Sequence, residues 1–473
     1  MSEPSASSGD TLRPNMAPAG LCEVSSNDTS GAESKDMARA APSSWAQKVC
    51  AEIKMKFIDG FTPVFFASVM GTGMSANLLY NFPYPASWLE TCGKILGVVA
   101  LLLFIVLCTF FALALHYRPK LITQIHRDPA LAPAMGCFVM GYTTLITFLH
   151  GILGRSWIIG VWVLWWSVVV GSFYTGIVTF FFSSIAKHRD NKNVLEHTSL
   201  SMQYLLPVVT LTVASSLGGI IALDLPNTNQ TIVTMTVSLV MWALAMIVAS
   251  IIVTINFWRM FIHKIPKSGQ VLTMFLPIGF VGQGAFAILL FAQNCSVLLL
   301  EHHDVASKSS YVSFLTATAS KNGVDLSHLP IIMSIAIMVT CSLVAFMSMS
   351  FGFLLTIFAY MSVFSKMSPF AIKTNEDFLY HTKSKSPFKR VFVGLLKFHR
   401  GFWSMTFPLG TMSLASHQFH TLFHGFAVFK VIAAFYAVLV LATTLGCLSG
   451  VVYKGFAICV RASVSEQRPP ENV

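Results

Sequence analysis

Apolar runs long enough to cross a bilayer, which takes about 20 residues, recur along the chain at 58–80, 89–115, 134–153, 157–185, 202–223, 231–260, 270–299, 330–364, 402–421 and 427–452. Two kinds of run alternate. The odd-numbered runs carry helix breakers and small polar residues: Pro63, Gly71 and Gly73 in the first, Gly136 and Gly141 in the third, Pro207, Gly218 and Gly219 in the fifth. Pro277, Gly279, Gly282 and Gly284 mark the seventh, and Pro408 and Gly410 the ninth. The even-numbered runs are aliphatic and aromatic, as in "LLLFIVLCTFFALAL" and "VWVLWWSVVV". Backbone groups freed at membrane depth need protein or a water-filled cavity to satisfy them. The alternation therefore predicts an all-α integral membrane protein: ten transmembrane helices as five repeated helical hairpins around a central pore, the inner helix of each facing the pore and the outer one facing lipid. Small residues also serve close helix packing. A single helix fits either reading, and the repetition over five hairpins favours the pore.

Composition agrees with a membrane protein: 54% of the 473 residues are hydrophobic and 11% charged, and the mean hydropathy is +0.67. The flanks differ from this body. Residues 1–44 are rich in Ser, Ala, Pro, Asn and Gly and are expected to be a disordered cytoplasmic tail. In 45–57 the apolar positions Val49, Ile53 and Phe57 alternate with Lys48, Lys54 and Lys56, the pattern of an amphipathic interfacial segment. The transporter or channel domain is 58–455, and 456–473 is a cytoplasmic C-terminal tail. Nine cysteines fall mostly inside apolar runs without metal-ligand spacing, so they read as packing residues.

The net charge of +11 is distributed as loop anchors, which excludes a nucleic-acid partner. Arg118, Lys120 and Arg127 follow the second run, Lys187, Arg189 and Lys192 the fourth, Arg259, Lys264 and Lys267 the sixth, and eight basic residues from Lys366 to Arg400 the eighth. The opposite loops hold only Arg155, Lys308 and Lys321. By the excess of positive charge on cytoplasmic loops, both termini are expected inside, and the sequon Asn229-Gln230-Thr231 outside.

The chemistry along the inner runs is neutral and polar. No Asp, Glu, Lys or Arg lies near the middle of any run, whereas Gly71, Thr72, Gly73, Ser75, Thr144, Ser215, Ser216, Gln283, Thr406 and Thr411 offer hydroxyl, amide and backbone groups. Such groups replace part of an anion's hydration without trapping it, and cation pores favour acidic rings or carbonyl filters that are not visible. A small inorganic anion crossing the lipid bilayer is the expected cargo. His150 is the one titratable side chain near the interior of an inner run, a candidate proton relay or a buried neutral histidine. His417, His420 and His424 read as an exposed helix end, and no metal or cofactor is expected. In "FHRGFWSMTFPLGTMS" the proline and glycines are expected to bend the ninth helix, where the rings of Phe402, Trp403 and Phe407 either occlude the path or pack in the core.

Four stretches carry a resemblance: "SVMGTGMSANLLYNFPYPASWL" (68–89), "VWVLWW" (161–166), "HKIPKSGQVLTMFLPIGFVGQGAF" (263–286) and "KFHRGFWSMTFPLGTMSL" (397–414). The chain resembles the tellurite-resistance/dicarboxylate transporter family, which includes plant guard-cell slow anion channels and fungal malate permeases. The resemblance implies five hairpins around a pore, a phenylalanine gate on the ninth helix matching Phe407, with Phe402 as second choice, sulfite or bisulfite as cargo, plasma-membrane efflux with sulfite resistance as the physiology, and a homo-oligomer. The alternative of the same fold is a C4-dicarboxylate permease or small-anion channel; a dicarboxylate should favour a fixed arginine in the path, and none is visible. An enzyme is not expected, because an intramembrane active site needs a nucleophile with a base, or a metal cluster.

Overall fold

A computed structural model describes residues 45–185, 200–266, 269–301, 317, 329–366, 398–423 and 426–466. The expected tail 1–44, the loop 302–328 apart from residue 317, and all of 367–397 lie outside the described residues. Among the described residues every regular element is helical. In chain order they are α1 (Trp45–Ile53), α2 (Ala67–Tyr80), α3 (Ser87–Tyr117), α4 (Leu121–Arg127), α5 (Met135–Leu153) and α6 (Ile158–Phe173). There follow α7 (Leu206–Ile221), α8 (Thr228–His263), α9 (Leu276–Glu301), α10 (Leu329–Phe364), α11 (Thr406–Leu422) and α12 (Ala427–Glu466).

Seven helical stretches among the described residues are long and apolar enough to cross a membrane. One of them, Ala132–Ile185, contains both α5 and α6, joined at Gly154, whose φ of 55° suits glycine. The first and ninth expected spans appear as α2 and α11, of 14 and 17 residues, and neither qualifies by apolar length alone.

Helices pair as α2 with α3, α5 with α6, α7 with α8, α9 with α10 and α11 with α12. A second set of contacts closes a ring: α2 on α5, α5 on α7, α7 on α9, α9 on α11 and α11 on α2. Burial separates the two sets. The apolar windows of α7 and α9 are 89% and 94% buried, those of α3 and α10 each 17%. Tryptophans on outer helices staple them to the ring: Trp165 Nε1 donates to Ala214 O and Trp242 Nε1 to Gly284 O, both at 2.9 Å.

The ring helices run parallel, since Val69 and Gly73 of α2 meet Gly141 and Thr144 of α5, and Gly279 and Gly282 of α9 meet Pro408 and Thr411 of α11. Each is entered through a 3₁₀ turn, at Pro63–Phe66, Ala132–Ala134, Met202–Leu205, Val271–Phe275 and Arg400–Met405. This corrects the expected role of the prolines. Pro63 and Pro133 lie in those turns, and Pro207, Pro277 and Pro408 in the first turn of α7, α9 and α11. There the N–H is not needed and the fixed φ fits the helix. Pro408 starts α11; it does not kink it.

The glycines are corrected similarly. A Cβ on Gly71 would collide with Thr406, on Gly73 with Thr144, on Gly136 with the carbonyl of Leu206, and on Gly282 with Thr411. Close helix approach accounts for these positions. The sequon lies in the first turn of α8, where Thr231 Oγ1 donates to Ala222 O at 2.9 Å.

Candidate functional site

The neighbours of each ring helix determine which side chains turn inward. On α11, Thr406 and Gly410 meet α2, Pro408 and Thr411 meet α9, and Ser413 Oγ donates to Ala433 O of α12. At about 100° per residue, Phe407 falls between the two ring neighbours and opposite the outer helix. It faces the inside of the ring, 2% exposed. The same reasoning on α2, with Gly71 against α11 and Gly73 against α5, turns Met70, Met74 and Asn77 inward. Met140 and Thr147 face inward from α5, Val209 and Ser216 from α7, and Gln283 from α9, where Gln283 Nε2 bonds Ser216 Oγ.

Exposure changes along the inside. At the end where the ring helices begin, Met70, Met140, Val209 and Phe407 are all buried. Toward the end where they finish, Thr147, Ile220, Gln293 and Leu414 are partly exposed. The inside of the ring is thus sealed at its near end and open at its far end. The register of Gly279 with Pro408 and Gly282 with Thr411 sets Gln283 level with Met412, five residues and so about 7.5 Å beyond Phe407.

Of the residues the sequence singled out, Phe407, Ser216 and Gln283 turn to the inside of the ring, and Thr144 stands at its edge against Gly73. Gly71, Gly73, Thr406 and Thr411 form the seams between ring helices. Three hydroxyls point elsewhere. Thr72 lies on the outer side of α2 and donates to Ser68 O at 2.8 Å; Ser75 Oγ reaches Thr444 Oγ1 of α12 at 2.8 Å; Ser215 Oγ reaches Ser238 O of α8 at 2.7 Å. A helical Ser or Thr satisfies its hydroxyl on its own or a neighbouring backbone, so polarity alone did not place it.

Two further assignments move. Phe402 sits in the 3₁₀ turn at the near end, its ring centroid 6.0 Å from Phe398 and 5.1 Å from His399, away from the seal. His150 lies in the last turn of α5, where Nε2 is 3.0 Å from Asp224 Oδ2 while Arg155 Nε donates to Asp224 Oδ1 at 2.7 Å. That ion cluster rims the far end. The inward methionines Met70, Met74 and Met140 escaped the sequence reading because an apolar side chain on an inner run carries no mark of direction; only the i, i+4 spacing of Met70 and Met74, on either side of Gly71 and Gly73, hints at it.

At the near end, five helix N-termini converge. Their unpaired N–H groups and aligned dipoles make that end partially positive. His399 Nδ1 accepts from Gly401 N at 3.1 Å and Ser201 Oγ from Gln203 N at 3.3 Å, while Thr62, Leu131 and Gln270 give no side-chain cap. Arg400 bridges two of these termini: its guanidinium lies 4.1 Å from the Phe65 ring centre, and Nη1 donates to Thr62 Oγ1 at 3.3 Å. No group of three or more His, Cys, Asp or Glu suited to a metal occurs among the described residues. A fixed acid or base is likewise confined to the ends of the ring helices: Glu301 is the last residue of α9.

Residues 60–452 match the SLAC1 family, described as voltage-dependent anion channels. The chain is 35% identical over 405 residues to a Candida albicans protein named sulfite efflux pump SSU1, covering 84% of this chain and 75% of that one. A Saccharomyces cerevisiae protein of the same name is 28% identical over 420 residues, with 82% and 86% covered. One from Arthroderma otae is 27% identical over 405 residues, with 84% and 91% covered.

Proposed function

This chain belongs to the SLAC1 family of voltage-dependent anion channels, and from that premise we propose that it exports sulfite across the plasma membrane through the inside of its five-helix ring. The paired helices act as five hairpins making ten crossings, with α2 and α11 completed as spans by their 3₁₀ turns. Both termini are cytoplasmic, which puts the near end of the ring inside the cell. The exposed apolar faces of α3, α8 and α10 meet lipid and a further copy of the chain.

The observation that carries this reading is the match between charge and opening. Five helix N-termini, with Arg118, Arg259, Lys264 and Arg400 around them, gather anions at the cytoplasmic end, while the inside of the ring carries no charged side chain to hold them. Phe407 is the gate. Its ring closes the inside where Met70, Met140 and Val209 are also buried, and the flexible methionines repack as it moves. Thr144, Ser216, Gln283 and Asn77 offer the polar groups beyond it. The seams at Gly71, Gly73, Thr406 and Thr411 set the width. The names of the curated relatives favour sulfite over a dicarboxylate, as does the absence of an inward arginine.

Purified protein in liposomes, loaded in turn with sulfite, malate, nitrate and chloride and tested with and without a pH gradient, decides the matter. Sulfite flux above that of protein-free liposomes, and above malate, is expected. Malate flux without sulfite flux refutes the reading.

A further inference from the structure

Gln283 is 3% exposed and reaches from α9 to the inward-facing Ser216 of α7, where Nε2 donates to Ser216 Oγ while Oε1 has no donor. Ser216 Oγ in turn donates to Val213 O at 2.9 Å, so its one hydrogen is already used. A buried acceptor without a donor is costly and rare, and no lysine or arginine on the ring helices supplies one. Resting on the sulfite reading above, the geometry points to Gln283 as the residue that recognises the cargo in its singly protonated form, hydrogen sulfite, in preference to the dianion.

Hydrogen sulfite carries one O–H and further oxygens that accept. A primary amide carries one acceptor and two N–H donors. The two are complementary: the O–H of the ion donates to Oε1, and one of its other oxygens accepts the amide hydrogen that Ser216 leaves unused. The sulfite dianion, nitrate and chloride have no hydrogen to give and bring negative charge against Oε1. Desolvation acts in the same direction. Its cost in a low-dielectric interior grows with the square of the charge, and the ring holds no fixed cation to offset the second charge. Position completes the case, because an ion that has cleared Phe407 meets Gln283 about 7.5 Å further on, before the open far end.

The test uses the full chain in liposomes at fixed total sulfite and equal pH on both sides, in a series from mildly acidic to mildly alkaline. The initial sulfite rate is expected to follow the hydrogen sulfite fraction, with nitrate flux flat over the same series. Nitrate separates cargo protonation from protein titration. The ionisable groups near the inside are His150 at the end of α5 with Arg155 and Asp224 in the turns that follow α5 and α7, His417 and His420 on α11, Glu301 at the end of α9, and His399, Arg400 and Lys454 at the near end; titration of any of them bends both curves. Gln283→Met keeps the length of the side chain and removes its hydrogen bonding. It is expected to lower the ratio of sulfite to nitrate rates about tenfold, the worth of one hydrogen bond to an ion. A sulfite rate that follows the dianion, or a ratio unchanged in Gln283→Met, overturns the inference. Should that variant not reach the membrane, the wild-type pH series decides alone. Wild-type protein that moves malate and no sulfite overturns the sulfite reading itself.

Discussion

Truncating Phe407 separates a gate from a packing residue. Its ring is 2% exposed and faces the inside of the helix ring, near the level of the inward-turned Met70 and Met140. In a rigid core, Phe→Ala costs about 3–5 kcal/mol. Facing two unbranched methionines that relax into the space, Phe407→Ala should cost about half of that and still reach the membrane. What the closed state loses is the burial of one aromatic side chain, about 1.5–3 kcal/mol, and each 1.4 kcal/mol is about a factor of ten. Because Met140 and Val209 still narrow the near end, the lower part of that range applies, and basal flux should rise roughly tenfold. Sulfite efflux or anion current, normalised to surface protein, measures it beside Phe402→Ala. Phe402 contacts Phe398 and His399 at the mouth, so its truncation should leave basal flux within about twofold, a change of less than ~0.5 kcal/mol. If Phe407→Ala lowers both expression and flux per molecule, the ring is packing and the gate assignment is wrong.

The seams make a graded prediction: Gly136→Ala drives a methyl into the fixed carbonyl of Leu206 and should cost about 1–3 kcal/mol, whereas Gly282→Ala meets the Thr411 hydroxyl first and should be partly rescued by Thr411→Ala. Thermal unfolding of the solubilised variants reads the order, and rescue of neither or both by neighbouring truncations contradicts it. His399, outside the spans, has its pKa lowered below 6.5 by burial and then by Lys454, so the folded chain favours the neutral ring whose Nδ1 caps Gly401. That contribution is present above pH 6.5 and is lost as pH falls toward the depressed folded value. The protection factors of the amides at Gly401–Trp403, with the intrinsic base-catalysed rate divided out, should therefore fall on acidification in wild type and stay level in His399→Asn. For topology, tags at either terminus should be protected in intact cells and one placed within 301–329 accessible; an exposed C-terminus is incompatible with ten crossings.

The class of protein, the alternation of inner and outer helices and the neutrality of the inside were all legible in the sequence, because each depends on local quantities: the length of an apolar run, its small residues, and where the charges stop. Direction was not. Thr72 and Met70 are two residues apart, and the polar one faces outward while the apolar one faces the inside, since Thr72 is satisfied by Ser68 O and so gains nothing from water. The glycines allowed both a pore and a seam, and only the collision of Gly71 with Thr406 and of Gly136 with Leu206 O shows them as seams. Pro408 read as a kink until the 3₁₀ turn at Arg400–Met405 set the start of α11 just ahead of it. The unmatched Oε1 of Gln283 could not be foreseen at all, because whether an amide finds its partners depends on residues 67 positions away in the chain. What a helix contains follows from its sequence, but what each of its faces meets is decided by which helices pack beside it.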